Sequence, residues 1–214
     1  MLEQKRKFMM AFQLSAVSRF SRDHMVKPEN VLEHIGFCSF YAATLTQKLM
    51  QAGYVPDISC VNNVFFKVAA HDLDEAMLGD IPRTTKYFSH EIREAFKAIE
   101  TATIERIDRW LGTCFSVSWK TAKQDLSGQV LRVTDIAAVV YKNWAEIEML
   151  GNKSFLRVAT ETNNYLRAMI AEDLNPTLRD ELLQLKHING ALVLGVPAKS
   201  EDVLFWSFEN GDEK

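Results

Sequence analysis

Glycine and proline are scarce in this sequence, nine and five among 214 residues, and they fall between stretches of helical apolar periodicity. That punctuation belongs to a chain of helices with short connections, so the expected class is all-α. Cysteine is scarcer still. Cys38, Cys60 and Cys114 are odd in number, far apart and in no C-x-x-C spacing. This fits reduced thiols in a cytoplasmic protein better than a disulfide framework or a structural zinc knuckle, with Cys38 and Cys114 read as small core residues. Neither sign of charge prevails: 25 Lys and Arg face 28 Asp and Glu, a net charge of -3. No positive field is present to gather nucleic acid or an anionic membrane surface. Apolar runs of the roughly 18 to 20 residues that span a bilayer are also lacking. The basic start is followed by Gln13, Ser15, Ser18 and Arg19, which is not the pattern of a signal peptide. What is present, 47% apolar and 25% charged residues, suits a single domain that buries roughly 70% of its unfolded surface.

The apolar spacing predicts a first helix over about Gln4 to Phe20, with a stripe of Phe8, Met9, Phe12 and Val17. Asn30 and Glu33 stand at capping-box spacing and open a second helix that ends at Gly53. Its stripe of Val31, Cys38, Ala42, Leu45 and Leu49 includes His34. A third helix carries Val64, Phe65, Val68 and Ala69 through His71, Asp72 and Glu75 to Gly79 and Pro82. A long helix is expected from about Thr84 to Leu111, with Phe88, Ile92, Phe96 and Ile99 on its apolar side. A central helix follows from Gly128 to Leu150, then others over about 154–172 and 176–188. The tail from Pro197 packs on the domain or on a partner.

On the third helix the apolar period is broken in a way that packing penalises. Val64, Val68, Asp72 and Glu75 share one face, so two carboxylates occupy places the core stripe should fill. A buried carboxylate needs a cation, either a basic side chain or a metal; His71 and the inward His34 favour the metal. Asp135 is the only acid between Leu126 and Glu146 on the central helix. His34, His71, Asp72 and Asp135 together make a mixed nitrogen and oxygen set suited to one divalent ion of Mn, Co, Fe, Ni or Zn. Such a set leaves positions for water and substrate. Taken singly, each residue also has a bland reading, as a hydrogen-bonded core histidine or a chance His-Asp pair.

The order His34, His71-Asp72, Asp135 resembles the H...HD...D signature of the HD-domain metal-dependent phosphohydrolases. Arg19-Phe20, Glu29-Asn30-Val31-x-Glu33-His34, His71-Asp72-x-x-Glu75-x-x-x-Gly79-Asp80-Ile81-Pro82, Lys86-Tyr87-Phe88 and Gly151-Asn152 with Phe155 are similar to the bacterial 5'-deoxynucleotidase (YfbR-like) branch. The likeness covers roughly residues 12 to 160. It implies an HD-domain fold in which His34, His71, Asp72 and Asp135 hold one divalent metal that acidifies a water. Glu75 would be the proton-handling carboxylate and Arg19 the phosphate anchor. Asp72 would stand in the catalytic and substrate-contacting set as well. Phe20 replaces the tryptophan that in this branch closes against C2' of the sugar. Asp80, Ile81, Pro82 and Arg83 would line the nucleoside end, with Asp80 a candidate acceptor for the 3'-hydroxyl; Arg83 departs from the small polar residue expected there.

The resemblance therefore implies a homodimeric enzyme removing phosphate from 2'-deoxyribonucleotides, with deoxynucleoside 5'-monophosphates first. The alternative is a deoxynucleoside triphosphate triphosphohydrolase of the dATP-hydrolysing phage type, for which Arg22, Arg83 and Lys86 would meet the outer phosphates. A non-catalytic nucleotide sensor is the third reading. His24, His90 and His187 are expected on the surface or in loops, so no second metal is anticipated. Trp110, Trp119 and Trp144 are expected in the core or an interface.

Overall fold

The structure, a computed structural model, describes residues 2–51, 53, 58–120 and 125–168. Nine α-helices occur among them: α1 (Leu2–Ala16), α2 (Val31–Gln51), α3 (Ile58–Ala70), α4 (Glu75–Leu78), α5 (Arg83–Lys86), α6 (His90–Leu111), α7 (Phe115–Lys120), α8 (Leu126–Trp144) and α9 (Leu156–Ala168). A π-helical turn, Ala145–Met149, extends α8, and a 3-10 turn, Lys153–Phe155, leads into α9. The described residues contain no strand, only an antiparallel bridge between Ser18 and Asn30. No helix among them is long and apolar enough to cross a membrane.

Local chemistry sets the starts. The capping box of α2 forms in full: Asn30 N–H donates to Glu33 Oε2 at 3.0 Å and Glu33 N–H to Asn30 Oδ1 at 2.9 Å. Asp125 caps α8 by accepting from Gly128 N–H at 2.7 Å, and the buried Lys67 ammonium of α3 donates to both its oxygens. The cap thereby also ties α8 to α3.

Two apolar cores meet along α2. One packs Cys38, Tyr41, Ala42, Leu45 and Leu49 against Val64 and Val68 of α3 and against α8 from Val130 to Val140. The other packs Val31 and Ile35 against Met10 and Leu14 of α1, Leu73, and Ile104, Ile107 and Leu111 of α6. His34, fully buried, stands at the seam between them.

Several expectations are corrected. The stripe of α1 is Met10 and Leu14, while Phe8, Met9 and Phe12 are exposed, and α1 stops at Ala16. Both candidate pairs have i,i+4 spacing on nearly opposite faces, and contact with α2 and α6 selects the smaller one. The third helix does not run on to Gly79. It breaks after Ala70, turns through residues 71–74 and restarts as α4. The helix expected from Thr84 is likewise two, parted at residues 87–89, where Ser89 caps α6. Phe88 and Ile99 are exposed, and α6 buries its other end. Cys114 is exposed rather than core. Trp144 packs beside the first core, Trp110 and Trp119 beside the second. The helix expected over 176–188, the tail from Pro197 and His187 lie outside the described residues.

Candidate functional site

The break after α3 is what aims the His-Asp pair. His71 Nδ1 lies 2.6 Å from the Val68 carbonyl, which can only accept. The ring proton is therefore on Nδ1, and the Nε2 lone pair points inward, the arrangement of a metal-ligating histidine. It faces His34 Nε2 at 3.4 Å. Asp135 of α8 brings Oδ1 to 3.1 Å from His34 Nε2. Asp72 Oδ2 lies 3.2 Å from His71 Nε2 and 3.6 Å from His34 Nε2. All four residues named from the sequence thus converge. So does a fifth: Cys38, one turn beyond His34, places Sγ 3.4 Å from His34 Nε2. The ligand atoms of His34, Cys38, His71 and Asp135 all lie within 4.8 Å of one another.

The donor chemistry fits a cation. Two imidazole nitrogens face each other at 3.4 Å with carboxylate oxygens around them, so the space between suits a positive centre, a metal ion or a proton. Without an ion, protons take that place. Burial and Arg19 pull His34 down, but Cys38 and the Asp135 hydrogen bond outweigh them and push it up to about 9. His71 is held down by burial, yet Asp72 raises it well above the usual imidazole range. Asp72, opposed by burial, is driven far below the usual carboxylate range by His71 and Arg19.

Arg19 is carried in by the Ser18–Asn30 bridge, its N–H donating to the Glu29 carbonyl at 2.9 Å. Its Nη1 donates to Asp72 Oδ2 at 3.2 Å, while Nε, 3.7 Å from Glu29 Oε1, has no hydrogen-bond partner. Next to it Phe20 has φ 53°, a left-handed conformation costly for this residue. Its N–H donates to Asp80 Oδ2 at 3.0 Å and its ring meets Phe155 edge-on at 5.4 Å, which holds the conformation. One oxygen of Asp80 is therefore taken by the backbone.

Glu75 opens α4 and is buried, with Oε2 unpartnered. Burial, reinforced by Asp72 and Asp80, pushes its pKa up to about 9. Lys86 stands 3.9 Å from Glu75 Oε1 but is nearer Glu100, at 3.1 Å. Arg83 stacks over the Tyr165 ring at 3.7 Å from its centroid. Ile81 and Pro82 are half-buried. His24 and His90 are exposed and stand apart from the cluster.

Glu146, in the π-turn, had no part in the sequence reading. It is fully buried and accepts four hydrogen bonds: from Val26 N–H at 2.8 Å, Lys27 N–H at 2.9 Å, Lys142 Nζ at 2.8 Å and Asn152 Nδ2 at 2.7 Å. Asn152 also donates to the His24 carbonyl, and Lys142 to that of Lys27. This clamp fastens the loop after Phe20 to the end of α8. The signal was there as an i,i+4 Lys142/Glu146 pair inside an apolar run, but its main partners are backbone groups some 120 residues away.

Known proteins resemble this chain in sequence and in fold. The chain is 32% identical over 92 residues to a 5'-deoxynucleotidase of Pasteurella multocida, covering 42% of this chain and 45% of that protein. It is 27% identical over 97 residues to one of Vibrio parahaemolyticus, covering 44% and 47%. The chain thus spans about half the length of the curated relatives it matches. An HD-domain phosphohydrolase from Listeria innocua superposes with TM-score 0.68 at 20% identity, covering 98% of this chain and 99% of that one. The cyanophage S-2L HD phosphohydrolase DatZ, bound to dA and one catalytic zinc ion, gives TM-score 0.62 at 17% identity over 84% and 94%. At such identities the likeness is one of fold, and the fold is the HD domain. The profile of the family described as 5'-deoxynucleotidase YfbR-like matches residues 7–179, most of the chain, and the chain belongs to that family.

Proposed function

We propose that this chain is a metal-dependent phosphohydrolase that removes phosphate from 2'-deoxyribonucleotides, with deoxynucleoside 5'-monophosphates as its substrates. The observation that carries the reading is the convergence of His34, His71, Asp72 and Asp135 beside a buried arginine and a buried, proton-holding glutamate. A divalent ion held by these four, of Zn, Co, Mn, Fe or Ni, would supply Lewis acidity and an acidified water.

The chain's own residues do the rest. Arg19 presents an unpaired Nε–H from a buried guanidinium whose charge Asp72 and Glu29 partly balance, a suitable grip for a phosphate. Glu75 gives its proton to the 5'-oxygen as the phosphorus–oxygen bond breaks. Phe20, fixed in one conformation by Asp80 and Phe155, walls the sugar. Ile81 and Pro82 line the nucleoside end, where Asp80 keeps one oxygen for the 3'-hydroxyl. The homodimer belongs to the same reading and is read from the mass in solution.

The triphosphate alternative leans on Arg22, Arg83 and Lys86. Lys86 is engaged by Glu100 and Glu75, and Arg83 is stacked on Tyr165, which favours the monophosphate. Incubation with one metal at a time and dAMP, AMP or dATP, followed by chromatography, separates the readings. Phosphate from dAMP is expected. Triphosphate from dATP would establish the alternative, and binding without product over hours would make the chain a sensor. Phe20→Ala is expected to raise the ratio of ribonucleotide to deoxyribonucleotide kcat/KM roughly tenfold, the low end of what one apolar contact discriminates; an unchanged ratio places sugar selection elsewhere.

A further inference from the structure

We propose that Cys38 is a ligand of the metal: its thiolate joins His34, His71, Asp72 and Asp135 around one divalent ion and biases the site toward zinc over manganese. This rests on the metal reading above and adds a donor that the family signature does not contain.

Spacing carries the inference. Around one ion, with nitrogen and oxygen at about 2.0–2.1 Å and sulfur at about 2.3 Å, neighbouring donor atoms lie roughly 2.9–3.6 Å apart as the angle between them runs from octahedral to tetrahedral. From His34 Nε2 the distances are 3.1 Å to Asp135 Oδ1, 3.4 Å to His71 Nε2 and 3.4 Å to Cys38 Sγ. Measured from His34 Nε2, the sulfur thus stands at the spacing of the groups already assigned, and the ligand atoms of His34, Cys38, His71 and Asp135 all lie within 4.8 Å of one another. Its placement is also pre-set. His34 and Cys38 lie one turn apart on α2, so the helix that fixes the imidazole fixes the sulfur without any loop adjustment. Both side chains are fully buried, so neither competes with solvent contacts. Asp72 is not among the four whose ligand atoms are mutually within 4.8 Å, and its Oδ2 also accepts from Arg19. The carboxylate next to His71 is thus shared between the ion and the phosphate anchor, while the sulfur has no such second duty.

The consequence follows from ligand softness. A polarizable thiolate in place of a further oxygen favours zinc and cobalt, whereas manganese prefers carboxylate and water. On binding, the thiol proton leaves to solvent and the ion takes its place.

Cobalt(II) loaded at one equivalent into the purified chain reads this directly. The wild type is expected to show ligand-field bands together with a sulfur-to-cobalt charge-transfer band in the near ultraviolet. Cys38→Ser and Cys38→Ala should lose the charge-transfer band and keep bound cobalt. In zinc–manganese competition both variants should lose zinc preference by more than about 100-fold, beyond the roughly 10–100-fold that an outer partner of a ligand contributes. Bound cobalt with no sulfur band in the wild type, or a band that survives in both variants, overturns the thiolate and leaves the metal reading standing. A wild type that binds no cobalt overturns both. Should neither variant fold, zinc-edge X-ray absorption of the wild type decides, by finding sulfur at about 2.3 Å or only lighter atoms.

Discussion

Replacing Glu75 by glutamine is expected to lower turnover about 10²–10⁴-fold while metal content and substrate affinity stay within a few-fold of wild type. Glutamine keeps the shape and one carbonyl oxygen but has no acidic proton to give. The position is set up for that proton. Glu75 is buried, one of its oxygens has no partner, and in the metal-free chain burial with the charges of Asp72 and Asp80 favours the acid form. Single-turnover phosphate release, beside calorimetric binding of a deoxynucleotide, separates the two quantities. Near-normal turnover would remove Glu75 from proton transfer.

The same substitution has an opposite effect on the metal-free fold. An ordinary glutamate, in the unfolded chain, ionises near pH 4.5, and Glu75 in the folded one near 9. Between those values the unfolded chain has released a proton the folded chain keeps, so stability falls as pH rises through that window. Below the window the residue contributes nothing. Metal-free Glu75→Gln should therefore melt a few degrees above wild type at about pH 8 and converge with it toward about pH 4. Equal melting at both ends would mean the carboxylate is not strained by its surroundings. Lost turnover with raised stability is the signature of a group placed for chemistry.

What the sequence disclosed, and what it hid, divides along a physical line. His34 was legible because α2 is periodic and capped by its own residues, so one helix wheel places it inward beside Val31 and Cys38. Asp135 was legible as an acid in an apolar run. Asp72 was found by an incorrect route: it does not share a helical face with Val68, because α3 ends at Ala70. No glycine or proline marks that break. It is held by the Leu73 N–H bond to the Ala70 carbonyl and by the His71 ring on the Val68 carbonyl. The wrong stripe on α1 has a similar cause, since Phe8 and Phe12 outweigh Met10 and Leu14 in hydrophobicity and only the neighbours decide which face is covered. Cys38 was read as core packing and is fully buried in the first core; the ligand role proposed for it has no separate sequence signal, because a core filler and a buried ligand occupy the same place in an apolar stripe. Glu146 stayed hidden because, beyond its i,i+4 pair with Lys142, it answers to distant backbone N–H groups and the Asn152 amide, which no local pattern marks.

Glu146→Ala is expected to cost about 3–5 kcal/mol of stability, the range for leaving one member of a buried ion pair alone. At this chain length that is a drop in Tm of roughly 6–20 °C. Lys142, itself buried, would keep only the Lys27 carbonyl, two backbone N–H groups would lose their acceptor, and the Asn152 amide would be left with the His24 carbonyl. Burial opposes its ionisation, yet Asn152, Lys142 and the two N–H groups hold Glu146 at about 2. Its contribution is thus complete above about pH 4.5 and is lost as pH falls through about 2, so the gap between wild type and variant should close over that window. Where the variant still folds, the loop that follows Arg19 and Phe20 loses its tie to the end of α8 while His34, His71 and Asp135 keep theirs. KM should then rise more than kcat falls, and bound metal should stay near one equivalent. A variant that melts with wild type at neutral pH would show that the loop is fastened by something other than this carboxylate. One that loses metal along with substrate affinity would show that the clamp supports the whole cluster and not the phosphate anchor alone.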